Sequence, residues 1–260
     1  MNLWQGILLG LVQGLTEFLP VSSSGHLVLV EALMGVQTPG VFVEVALHVA
    51  TLGSVLVVYG GRLWSTVRGV LAGRRDDLRY AGLLALGTAP AGAVGVLFHA
   101  KIETAFDSLT FVGIAFVVTG LMLWSTRRLQ GQRRQPGWLG ALGVGAAQAV
   151  AIFPGISRSG STVSAGLWAR VTPVEAAEYS FLLAVPVIAG AALVEGRGMA
   201  ADVVAVGAVP LAVSLAVAFA SGVWSIRLLV ALLRRGRFYA FAPYCWAVGA
   251  FTIAYALWRA

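Results

Sequence analysis

Six apolar runs of about twenty residues, each bounded by charged clusters, constrain this chain more than any other feature. They lie at roughly 41–61, 80–100, 107–126, 174–196, 201–222 and 239–258. A run of that length and character matches, as an α-helix, the hydrocarbon thickness of a bilayer. Of the 260 residues 58% are apolar and only 11% are charged, and a single soluble core of this size cannot hide that much apolar surface. The chain reads as an all-α integral membrane protein, one membrane domain over 1–260. The N-terminus has no basic segment before its first apolar stretch and no small-residue cleavage site after it. Met1–Pro20 is therefore expected to stay in place.

Two further apolar stretches, 3–35 and 138–169, are not single spans. Each is broken at its centre by a polar segment with a proline: Leu19-Pro20-Val21-Ser22-Ser23-Ser24-Gly25-His26 and Pro154-Gly155-Ile156-Ser157-Arg158-Ser159-Gly160-Ser161-Thr162. Interrupted helix at membrane depth is tolerated only where protein or a polar cavity satisfies the freed backbone. Both stretches are expected to be re-entrant helical hairpins with their tips in the membrane.

The two stretches also resemble each other at a shift of 135 residues. Gly10 meets Gly145, Gln13 meets Gln148, Phe18 meets Phe153, Ser22 meets Ser157, Ser24 meets Ser159 and Gly25 meets Gly160. Small residues recur in phase too: Gly6, Gly10 and Gly14 against Ala141, Gly145 and Ala149. The pattern predicts a duplication with halves of about 1–130 and 131–260. Seventeen of the 18 basic residues are arginine, and thirteen of these cluster at 62–79, 127–134 and 227–237. The excess of positive loops on the cytoplasmic side puts those three loops inside, so the first hairpin enters from outside and the second from the cytoplasm. Three spans per half is an odd number, so the halves are inverted, an arrangement that places a binding site where the repeats meet. The net charge of +7 thus reports orientation, and nucleic acid is not an expected partner. The lone Cys245 excludes an intramolecular disulfide.

Polar groups left inside the membrane concentrate at the hairpin tips, where their cost points to function. Gln13 and Glu17, four apart, share a helix face. Oxygen donors of this kind suit Mg²⁺ or Ca²⁺, and a carboxylate can instead act as a base. Ser22, Ser23 and Ser24 precede an apolar run, so one of them is expected to cap the following helix. His26 close by adds a hydroxyl–imidazole pair suited to nucleophilic attack. Around Arg158, hydroxyls at Ser157, Ser159, Ser161 and Thr162 and two glycines sit where a half-helix should start, a setting that favours an anion. Arg158 needs an anionic partner, either Glu17 or a phosphorylated substrate gripped at two points. Glu44 and His48, four apart at the start of the first full span, either line the outer mouth of this site or pair with each other.

The segments Gln13-Gly-Leu-Thr-Glu17-Phe-Leu-Pro20-Val-Ser-Ser-Ser-Gly25-His26 and Pro154-Gly-Ile-Ser-Arg158-Ser-Gly-Ser-Thr162 resemble the two signature motifs of the undecaprenyl-diphosphate phosphatase family, the bacitracin-resistance type. That family carries Glu/Gln-x-x-x-Glu followed by Pro-x-Ser-Ser-x-Gly-His, and Pro-Gly-x-Ser-Arg-Ser-x-x-Thr. The resemblance covers the whole chain in length, order and repeat pattern. It implies a hydrolase of the bacterial inner membrane, open to the outer face, that removes the terminal phosphate of undecaprenyl diphosphate and so regenerates the lipid carrier for cell-wall synthesis. It further implies Ser23 as nucleophile with His26 as its proton partner. Glu17 and Gln13 would hold a divalent cation, Mg²⁺ or Ca²⁺, or position the diphosphate. Arg158, Ser157, Ser159 and Thr162 would bind phosphate, with Ser22, Ser24, Gly25, Gly155 and Gly160 bordering the substrate. Membrane lipid is the surrounding partner, and a second copy of the chain is a candidate one. Many members have glutamate where this chain has Gln13, so a metal site here lacks one negative ligand. The competing class is a transporter or flippase of a phosphorylated lipid, because inverted repeats with broken helices are also the frame of alternating access.

Overall fold

The computed structural model describes residues 1–35, 42–129, 131–195, 203 and 206–259. Among these the structure is helical, without a strand. Its elements are α1 (Leu3–Phe18), α2 (Ser23–Met34), α3 (Phe42–Leu71), α4 (Arg75–Leu97), α5 (His99–Phe106), α6 (Leu109–Ser125), α7 (Trp138–Val150), α8 (Arg158–Trp168), α9 (Pro173–Glu195), α10 (Ala208–Arg234), a 3₁₀ turn (Phe238–Phe241) and α11 (Ala242–Arg259). Five helical segments among the described residues are long and apolar enough to cross a membrane: α3, α4, α9, α10 and Phe238–Arg259. The chain is a multi-pass membrane protein. The helix over the expected 107–126 span is α6, with 17 residues. Part of the 201–222 stretch lies outside the described residues, and the helix found there, α10, continues to Arg234. Likewise α3 runs ten residues past the expected end at 61. The arginines near the expected ends do not stop these helices, because arginine is itself a good helix former.

Both broken stretches restart their helices by the same local chemistry, though they end differently: α1 stops just before Pro20, and α7 stops at Val150, four residues before Pro154. Pro20 forces Leu19 out of the helical region, to φ −64° and ψ 145°. Ser22 then caps α2 by accepting from the Gly25 N–H at 3.4 Å, and Ser157 caps α8 by accepting from the Gly160 N–H at 3.0 Å. These two pairs are counterparts in the 135-residue shift. Ser22 pays for its position with φ +66°, a region costly for a residue with a Cβ. Gly155, at φ +90°, occupies a similar bend in the second tip at no steric cost.

Gly6, Gly10 and Gly14 of α1 lie on Pro210, Ser214 and Ala218 of α10, so these helices run parallel in close contact. Elsewhere, Trp138, Gly145 and Ile152 meet Gly82, Gly87 and Gly95, setting the α7 stretch parallel to α4. Helix α6 pairs with α11 through Gly113 and Gly120 against Ile253 and Trp246. Around the tips sits an apolar cluster that includes Phe18, Val21, Val55, Leu123, Val163, Phe181 and Ile226. Close approach through small residues is the main way helices associate in lipid. A Cβ at Gly145 would stand 2.8 Å from the Gly87 carbonyl oxygen and 2.9 Å from Pro90 Cγ. Gly145→Val should therefore destabilise by about 1–3 kcal/mol, read as a lower thermal midpoint in detergent. Gly143→Val, where a Cβ meets nothing within 4 Å, should leave the midpoint near that of the unmodified protein.

Candidate active site

The two tips meet. A Cβ on Gly25 would fall 2.8 Å from the Gly155 Cα, and one on Gly160 would fall 3.4 Å from the Pro20 Cβ. These three glycines, expected to border a substrate, let the tips approach each other. One of the following hydrogen bonds ties the tips together, and the others anchor α8 within itself and to α9. Ser159 Oγ donates to the Leu19 carbonyl at 3.1 Å, and Thr162 Oγ1 shares a 2.6 Å hydrogen bond with Ser180 on α9 while donating to the Arg158 carbonyl at 2.7 Å. Thr119 on α6 holds the second tip from behind, donating to the Gly155 carbonyl and accepting from the Ser157 N–H, each at 3.0 Å.

At the centre is Glu17, whose side chain is 4% exposed. Its Oε1 faces Arg158 Nη2 at 2.5 Å, an ion pair linking the first tip to the second. Its Oε2 accepts from Ser23 Oγ at 2.6 Å and from Gln13 Nε2 at 3.0 Å, and lies 3.2 Å from His48 Nε2. The geometry thus gathers Gln13, Glu17, Ser23 and Arg158, as the sequence suggested, and adds His48 from α3. His48 does not pair with the Glu44 carboxylate; its Nδ1 meets the Glu44 carbonyl at 2.7 Å, and the ring is turned to Glu17. Within hydrogen-bonding range Arg158 has Glu17 and, at 3.5 Å, the Ser180 carbonyl, which leaves donors of its five for a ligand.

One expected pairing is absent. Ser23 does not hydrogen-bond to His26, because α2 begins at Ser23 and points the two side chains to different partners. His26 Nδ1 meets the Ser22 carbonyl at 2.7 Å, and Nε2 meets the Tyr244 hydroxyl on α11 at 2.7 Å. The group within reach of the Ser23 proton is Glu17. Ser22 and Ser157 serve as caps, and Ser24 lies 3.4 Å from the Ser22 hydroxyl. Neither Tyr244, 218 residues from His26, nor Ser180, 18 residues from Thr162, carries a sequence signal for the site.

Among the described residues no three His, Cys, Asp or Glu side chains gather as a metal cage. The donors present are the Glu17 carboxylate and Gln13 Oε1, which is buried with no hydrogen-bond partner. Mg²⁺ typically takes one or two carboxylates and completes its shell with substrate phosphates and water. This donor set fits a cation that arrives on a diphosphate.

A buried ion pair thus joins the last turn of α1 to the first residue of α8, with the Ser23 hydroxyl on the same carboxylate. The family model described as "Bacitracin resistance protein BacA" matches residues 6–251. The chain belongs to the BacA family. Curated relatives share its full length. A protein of Syntrophotalea carbinolica named undecaprenyl-diphosphatase is 42% identical over 96% of this chain and 97% of its own. Proteins of the same name from Desulfatibacillum aliphaticivorans, 40% identical over 94% and 95%, and from Desulforapulum autotrophicum, 39% identical over 97% and 98%, agree with it. In this BacA-family chain, then, both motifs named from the sequence converge on Glu17.

Proposed function

We infer that the chain is an undecaprenyl-diphosphate phosphatase, a hydrolase acting on the phosphoric anhydride of the lipid diphosphate to leave the monophosphate carrier. The observation that carries this reading is the Ser23–Glu17–Arg158 chain: a hydroxyl on a carboxylate that is itself paired with a guanidinium.

The mechanism follows from that geometry. The diphosphate draws Arg158 onto its oxygens, and the arginine spreads the charge that develops in transfer. Ser23 Oγ attacks the terminal phosphorus while its proton passes to Glu17 Oε2. The bond from that phosphorus to the bridging oxygen breaks, and undecaprenyl phosphate leaves. Water then attacks the phosphoserine: its oxygen bonds to phosphorus, the Ser23 oxygen leaves and recovers the proton from Glu17, and the water proton goes to His26. A bound Mg²⁺ or Ca²⁺, held by Glu17 and Gln13 Oε1, would neutralise charge on the diphosphate oxygens. Ser157, Ser159 and Thr162 keep the second tip in place, so that the N–H groups at the start of α8 face the phosphates.

The same proposal extends to the frame. Helices α1–α2 and α7–α8 form two re-entrant hairpins, and α6 is a sixth span, about 25 Å long at 1.5 Å per residue, which a locally thinned bilayer accommodates. The halves 1–130 and 131–260 are inverted repeats. Supporting this are the matched caps at Ser22 and Ser157 and the exchanged pairings of α1 with α10 and α7 with α4. With the arginine loops inside, the protein sits in the bacterial inner membrane with its site open to the outer face. A transporter has no need of a serine hydroxyl directed at a buried carboxylate.

The test is Ser23→Ala, which should lower phosphate release at least about a hundredfold, the scale for loss of a nucleophile or key electrostatic group. Acid quenching of the unmodified enzyme during turnover should trap phosphate on Ser23. Full activity in Ser23→Ala removes it as nucleophile.

A further inference from the structure

His26 is closed in at both ring nitrogens. The residue is 8% exposed, and Phe116 covers the ring edge-on at 5.0 Å between centroids. Nδ1 faces the Ser22 carbonyl, which can only accept, so Nδ1 carries the proton. Nε2 is then the acceptor, and the group that reaches it is the Tyr244 hydroxyl at 2.7 Å. The two rings are stacked, with an interplanar angle of 4° and centroids 5.7 Å apart. Tyr244 itself is 46% exposed. A phenol both gives and takes a proton, unlike the carbonyl on the other side of the ring.

We propose that Tyr244 is the proton outlet of His26: protons exchanged by the imidazole pass through the Tyr244 hydroxyl. This rests on the reading of His26 as acceptor of the water proton in the second step. In that step the water proton moves to Tyr244 Oη as the phenolic proton moves to His26 Nε2, and the hydroxide so formed bonds to phosphorus. No charge is left on the tyrosine. The relay joins the last helix of the chain to the first hairpin tip, 218 residues apart, so the second half completes a site begun in the first.

Tyr244→Phe removes one oxygen and keeps the stacked ring. With the full-length protein in detergent and farnesyl diphosphate as probe, kcat should fall about 10- to 100-fold, toward the lower end of what positioned proton transfer contributes. KM should stay within about twofold. Phosphoenzyme should accumulate, because the second step is the one slowed. Added to His26→Gln, Tyr244→Phe should cost nothing further, as expected for two groups acting as one unit. Unchanged kcat overturns the proposal, as does multiplication of the two losses in the double variant. A KM and thermal midpoint that move together with kcat point to a merely structural role and also overturn it. A second readout needs no turnover: in ¹⁵N-histidine NMR the His26 Nε2 resonance should report an accepting nitrogen and shift in Tyr244→Phe. An unshifted resonance overturns the hydrogen bond. A shifted one in a protein that releases no phosphate keeps the bond, and rejects the phosphatase reading separately.

Discussion

Glu17→Gln should nearly abolish phosphate release, lowering kcat about 10²- to 10⁴-fold, the range that a positioned general base contributes. The substitution keeps the size of the side chain and one acceptor oxygen. It removes the carboxylate that both receives the Ser23 hydroxyl and faces Arg158. An amide cannot take the serine proton, so the attacking oxygen stays a weak nucleophile. KM should not rise, because an Arg158 relieved of its anion is freer to bind a diphosphate. The ligand-free variant should also lose about 3–5 kcal/mol of stability, the cost of leaving a buried charge unpaired, and added prenyl diphosphate should restore part of the lost thermal midpoint. Steady-state kinetics and thermal unfolding read the two effects separately. A Glu17→Gln enzyme with ordinary kcat would remove the carboxylate from the mechanism.

Arg158→Ala should lower kcat/KM about 10²- to 10³-fold, the magnitude for losing a charged donor aimed at the transition state. Both terms should suffer: KM rises because the diphosphate loses its fork, and kcat falls because charge on the transferring group is no longer spread. Arg158→Lys should recover only part of the loss, since a lysine supplies the charge as a point and not as two parallel hydrogen bonds. If lysine restored full activity, bidentate recognition would be wrong, though not the need for a cation. Glu17 loses its partner in both variants in different degrees, so the activities should rank arginine, lysine, alanine.

The parts of this fold that were legible in sequence are those set by local chemistry. Pro20 ends α1, and the Ser22/Gly25 and Ser157/Gly160 pairs start α2 and α8, because capping needs only residues three apart. The small residues at Gly6, Gly10 and Gly14 announced a close helix contact, but not that the neighbour would be α10, over 200 residues away. Charge clusters underestimated helix length, as in α3 and α10. At the site, Gln13, Glu17 and Arg158 stood out because charge and amide are costly in an apolar layer. Ser23 and His26 are neighbours in sequence, which suggested a pair; helix geometry turns one to Glu17 and the other to Tyr244. His48 and Tyr244 could not be assigned, since a histidine near a span's start and a tyrosine in the last helix acquire a role only through packing across the fold.

The most direct measurement is release of inorganic phosphate from undecaprenyl diphosphate by the purified protein in detergent with Mg²⁺ present. The expected result is one orthophosphate per lipid, with undecaprenyl phosphate as the other product and no release by Glu17→Gln above background. Intact diphosphate after prolonged incubation with folded protein, together with movement of the lipid across vesicle membranes, would contradict the phosphatase and favour a carrier.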